Sequence, residues 1–154
     1  MDFRKRIANL LRLTVEEYDD PVLGPLKLWG GGDWCGEVSL DHPLTRTKSL
    51  SLLIDNGKGR PSDEQRALSH EILSRYAELW PRIAQGLAAH HPLYKTVEAV
   101  NEFVDQPCLC LNPLVAEQPR RWSLYYTFNS AAEGDIGYFV DFCEWEIIVV
   151  HPPV

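Results

Sequence analysis

The stretch Ser62-Asp-Glu-Gln-Arg-Ala-Leu-Ser-His-Glu-Ile-Leu-Ser-Arg-Tyr-Ala-Glu-Leu-Trp-Pro-Arg-Ile-Ala-Gln-Gly-Leu-Ala-Ala-His90 decides the fold class. Ser62 followed three places later by Gln65 forms a capping box, in which each side chain satisfies the other residue's backbone amide. Leu68, Ile72, Tyr76, Leu79, Ile83 and Leu87 then recur at helical spacing and lay one apolar stripe along the helix. A stripe this long needs a broad apolar surface, and a sheet face supplies one. Pro81 lacks an amide proton and crowds the preceding turn, so a kink or break is expected there.

The flanking segments supply the sheet. Trp34, Val38 and Leu40 alternate with Cys35, Glu37 and Ser39, and Leu50, Leu52 and Ile54 continue the pattern before the loop that begins at Asp55. An edge strand is expected between Pro21 and Pro25 and to end near Trp29, preceded by an acidic loop. Beyond the helix, Trp122, Leu124, Tyr126 and Phe128 alternate with Ser123, Tyr125 and Thr127. Ile136, Tyr138, Val140 and Phe142 alternate with Gly137, Phe139 and Asp141, and Trp145, Ile147 and Val149 read as the last core row. A shorter helix fits 94–105, and Phe3, Ile7, Leu10 and Leu11 mark an amphipathic helix over 1–13. These elements predict an α+β fold: an antiparallel sheet of about six strands, with one long Pro81-kinked helix and shorter helices on one face. At 154 residues and 45% hydrophobic the chain suits a single domain, 1–154, with its α+β core over 20–150.

Charge narrows the function. Fifteen basic against 22 acidic residues give a net charge of −7, which disfavours nucleic acid and anionic membrane as partners. No apolar run spans a bilayer and no secretory signal is visible. Four cysteines in a chain of this length read as reduced thiols, so a cytoplasmic location is expected. The acids are unevenly spread. Residues 16–41 carry seven against Lys27 alone, and Trp122–Val154 contain five acids and eight aromatics without a lysine or arginine. If these zones merge in space, they form an acidic, aromatic surface of the kind that captures a basic partner. The predicted contact residues are Asp33, Glu37, Tyr125, Glu133, Asp135, Phe139, Asp141, Glu144 and Glu146. Trp29 joins Tyr125 and Phe139 as a candidate exposed anchor, whereas Trp34, Trp122 and Trp145 read as core.

Other constellations are weaker. Cys108-x-Cys110 with His90 and His91 has zinc-type donors but not the usual spacing, and leucines around it point to a buried strand. Asp141, Glu144, Glu146 and His151 have the donor chemistry of a metal-dependent hydrolase, without nearby cations to hold substrate phosphate. No nucleophile elbow is present, and Gly30-Gly31-Gly32 lacks the lysine of a phosphate loop. No cofactor is predicted.

Asp20-Pro-Val-Leu-Gly24, Trp34-x-Gly36-x-Val38 and Ser62-x-x-Gln65 opening a long helix together resemble a family of small bacterial domains found beside polymorphic toxins and presumed to be immunity proteins. The resemblance spans roughly residues 20–90, with a looser match after Trp122. It implies a cytoplasmic protein that binds and stoichiometrically inhibits a cognate, basic protein toxin. A small metal-dependent hydrolase and a non-catalytic adaptor are the alternatives.

Overall fold

The structure, a computed structural model, describes residues 14–29, 32–44, 48–57, 59–129 and 137–153; the helix expected over 1–13 lies outside them, as do Glu133 and Asp135. Among the described residues the elements are β1 (Thr14–Asp20), β2 (Gly24–Trp29), β3 (Asp33–Ser39), β4 (Ser49–Asp55), α1 (Asp63–His90), α2 (Val97–Phe103), β5 (Cys108–Leu111), β6 (Arg121–Tyr126), β7 (Tyr138–Cys143) and β8 (Glu146–His151). The strands stand in the sheet in chain order. Neighbours are antiparallel except β4 and β5, which are parallel because the two helices carry the chain back before β5 begins.

The α+β class holds with a mostly antiparallel sheet of eight strands, not six. The segment expected to be an acidic loop is β1, an edge strand whose charges suit an unpaired border. β5 is only four residues long and buries Cys108, Leu109 and Leu111, so it carries little alternation to read.

Cross-strand register aligns one inward face. Trp34 opposes Ile54, Gly36 opposes Leu52, Leu52 opposes Leu109, Leu109 opposes Leu124, and Leu124 opposes Val140. The helix stripe Leu68, Ile72, Tyr76, Leu79, Ile83 and Leu87 is buried against this face. Each such side chain contributes roughly 1.5–3 kcal/mol by leaving water, offset by chain entropy. The helix runs unbroken through Pro81, which is exposed on its outer side.

Polar contacts fix the helix on the sheet. The capping box forms as read, and Gln65 also donates from Nε2 to the carbonyls of Asp55 (2.8 Å) and Asn112 (3.1 Å). Gln65 is therefore fully buried, and it ties the ends of the parallel pair β4 and β5 to the helix start. In the β1–β2 turn, Asp20 Oδ1 accepts from the Val22 and Leu23 amides, and Oδ2 accepts from Arg66 Nε at 2.6 Å. Deeper in the core the hydroxyls of Tyr76 and Tyr126 lie 2.5 Å apart. Gly36 belongs to the same packing: a Cβ there would stand 2.6 Å from Leu26 Cδ2.

The last core row also differs from the expectation. Trp145 lies in the two-residue turn between β7 and β8, where Glu144 has φ of 50°. A bulge follows, so Asp141 opposes Val149 while Phe142 opposes Ile147. Ile147 and Val150 turn inward, and Ile148 and Val149 are exposed.

Candidate functional site

No described element covers the face of the sheet opposite α1. Register lays two rows across it. One runs Lys27, Cys35, Leu53, Cys110, Ser123, Asp141, Val149; the other runs Glu37, Ser51, Cys108, Tyr125, Phe139, His151. Asp33 opposes Asp55 at the end of β3 and β4. Of the predicted contact residues, Asp33, Glu37, Tyr125, Phe139 and Asp141 thus share one face.

They do not form one patch. Because the sheet follows chain order, β1–β3 and β7–β8 occupy opposite sides of it. Four strand spacings separate β3 from β7, about 19 Å. The two acidic zones expected to merge are therefore apart.

Several predicted contacts are engaged internally. Glu144 accepts from the Arg120 amide (2.8 Å) and from Arg120 Nε (2.9 Å), and these bonds hold its carboxyl below the usual range. Glu146 stands 3.5 Å from Arg82, which also donates to the Trp145 carbonyl. Both acids thus meet arginines, Glu144 in a close pair with Arg120 and Glu146 in an exposed contact with Arg82. Tyr125 is buried, with its ring folded over Gly137, where a Cβ would lie 1.8 Å from the tyrosine oxygen. Trp29 is buried too and is no exposed anchor. Trp34 and Trp122 are core, as read, and Trp145 is half-buried beneath Arg75, whose guanidinium carbon sits 4.0 Å from the ring centroid.

At the β6–β8 side, Ser123 Oγ donates to Asp141 Oδ1 (2.6 Å) and His151 Nε2 meets Oδ2 (2.8 Å). His151 Nδ1 faces the Pro152 carbonyl at 2.8 Å, so both ring nitrogens meet acceptors, which suits the imidazolium. Burial alone would lower the His151 pKa, but the Pro152 and Asp141 contacts outweigh it and raise it. The carboxylate stands between the hydroxyl and the ring. The hydrogen bonds run from Ser123 and from His151 to the carboxylate, an order unlike the serine–histidine contact of a nucleophilic triad.

The candidate metal sets are not brought together. Asp141 is held by Ser123 and His151, and Glu144 and Glu146 by arginines; among the described residues no group of three or more such donors converges. His90 bonds the Gly86 carbonyl at the surface. His91 is buried among Tyr94, Phe128 and Tyr138 with Nδ1 accepting two amides, whereas Cys108 and Cys110 belong to the other face. All four cysteines are free. The Cys110 thiol is pushed well up by its bond to Cys108 and by burial, and Cys35 is raised by burial and by Asp33, which keeps both as unreactive thiols.

A shallow cavity of about 340 Å³ also opens on this face beside Leu53, Cys110, Arg121, Asp141 and Ile148. Sequence reading missed Leu53 and Ile148, although alternation with Ile147 and Val149 already set Ile148 opposite the expected core row. Arg121 did carry a signal, as the last cation before the cation-free terminal stretch.

Comparison with protein-family models, with curated proteins and with solved structures finds no match.

Proposed function

We propose that the chain is a non-catalytic binding protein that takes a basic partner protein on its uncovered sheet face, and that it acts as a cytoplasmic immunity protein blocking a toxin. One observation carries this reading: on the uncovered face the acids Asp33, Glu37, Asp55 and Asp141 at outward positions of β3, β4 and β7 outnumber the cations Lys27 of β2 and Arg121 of β6. Such a face attracts cations and speeds their encounter. Glu144 and Glu146 drop out of the footprint because Arg120 and Arg82 hold them, and Tyr125 drops out because it is buried. The contact set reduces to Asp33 and Glu37 on one side and Phe139 on the other, with Asp141 engaged by Ser123 and His151. The resemblance noted above supplies the toxin setting.

Co-expression with the basic toxin encoded beside this chain is the test. Protection of growth, a stable complex on gel filtration, and loss of both in Asp33→Lys/Glu37→Lys are expected. Binding should also weaken steeply from low to high salt. Unrelieved growth inhibition with no complex overturns the reading, and salt-insensitive association favours an adaptor that binds through apolar surface.

A further inference from the structure

Arg121 differs from every other described arginine. Arg60, Arg66, Arg75, Arg82 and Arg120 each meet a carboxylate at 2.6 to 3.7 Å. Arg121 makes no hydrogen bond or ion pair among the described residues, although the chain carries a net charge of −7. Its two near carboxylates are occupied. Asp141, diagonal to it across β6 and β7, is held by Ser123 and His151, and Glu146, in its cross-strand row through Cys143, is held by Arg82.

Arg121 also stands where two recesses join. The cavity on the sheet face presents Leu53, Phe139 and Ile148. A second recess, also of about 340 Å³, is formed by the loop after β5, with Pro113, Leu114, Val115 and Pro119. Asn112 and Arg121 line both. Val115 and Ile148 are among the most exposed large apolar residues of those described, one in each recess beside the arginine. Two hollows of mixed polar and apolar lining, each with an exposed apolar side chain (Ile148 in one, Val115 in the other), flank a guanidinium without a partner among the described residues. They present a pattern that complements apolar, anionic and apolar groups of a ligand.

We propose that this double recess binds an extended peptide segment of a partner protein, with an acidic side chain on Arg121 and apolar side chains two residues before and after it in the hollows. In an extended segment, residues two apart point the same way about 7 Å from each other, so all three groups reach the surface together. A guanidinium takes a carboxylate through two parallel bonds, which fixes the register of the segment. Peptides engage arginine and apolar pockets in this way without a covalent step. The inference goes beyond the basic-partner reading and does not rest on it; the two share Phe139 and Asp141 in the cavity wall, so the acidic segment and a basic partner would compete there.

The probe is acetyl-Leu-Ser-Glu-Ser-Leu-amide, titrated into the isotope-labelled full chain and followed by backbone amide shifts. Shifts confined to the two recesses are expected, centred on Asn112, Arg121, Ser123 and Ile148. The same peptide with glutamine for glutamate should bind roughly three- to tenfold more weakly. In Arg121→Gln the two peptides should bind alike, while an otherwise unchanged amide spectrum reports an intact fold. Equal binding of both peptides by the native protein, shifts elsewhere, or none at all overturns the proposal.

Discussion

Arg66 on the first turns of α1 donates to Asp20 in the β1–β2 turn at 2.6 Å, and the Asp20 side chain is fully shielded from solvent. One carboxylate thus closes a hairpin through two amides and fastens that hairpin to the helix. Asp20→Asn keeps an oxygen for the Val22 and Leu23 amides but loses the ion pair. We expect a loss of about 2–4 kcal/mol at neutral pH in urea unfolding. Burial raises the Asp20 pKa, but the turn amides and Arg66 outweigh it and leave it below 3.8. A depressed carboxyl stabilises the fold above its unfolded value and loses that contribution as pH falls through the folded value. The gap between native protein and variant should therefore narrow in acid below 3.8 and stay constant at neutral pH.

Gln65 should be less replaceable than its capping partner. Ser62→Ala removes one cap bond, about 1 kcal/mol. Gln65→Glu keeps an acceptor for the Ser62 amide but leaves the Asp55 and Asn112 carbonyls facing a buried carboxyl, so a loss of about 3 kcal/mol or more is expected. Equal melting temperatures for the two variants would contradict this role.

Gly137→Ala drives a methyl group into the Tyr125 ring. Displacing the ring should cost about 1–3 kcal/mol. In a Tyr125→Ala background the same glycine change should cost far less, and a double-mutant cycle measures the coupling.

The Asp141–His151 contact predicts a pH dependence of opposite sense. A histidine whose folded pKa is raised contributes stability below its unfolded value and loses it as pH rises through the folded value. By NMR, His151 should titrate above the ordinary histidine value, and its midpoint should fall in Asp141→Asn. The stability difference between native protein and Asp141→Asn should be larger in mild acid than in alkali.

How far these features were legible depends on their range. The α1 stripe, the capping box and the inward rows of β3, β4, β6 and β7 follow from periodicity, which is local, and the structure has them. The edge strand β1 was hidden by its acids, and β5 by its length. Val149 leaves the expected core row through a bulge that no composition signals. Of the site, Asp33, Glu37, Phe139 and Asp141 reach the expected face because alternation sets it. Glu144 and Glu146 instead meet Arg120 and Arg82, partners that lie far along the chain. Pairing of that kind is decided by tertiary contact, which no sequence spacing encodes.

Among the described residues the sheet holds one parallel ladder, between β4 and β5, and its other ladders are antiparallel. Each half of the sheet, β1–β4 and β5–β8, is a self-contained run of hairpins. All long-distance assembly of the sheet therefore converges on one seam, clamped at its end by the Gln65 amide. A chain severed between α2 and β5 would leave two fragments with complementary borders at that seam, and the recovery of one folded molecule from the mixed pieces would depend on how well that glutamine seats.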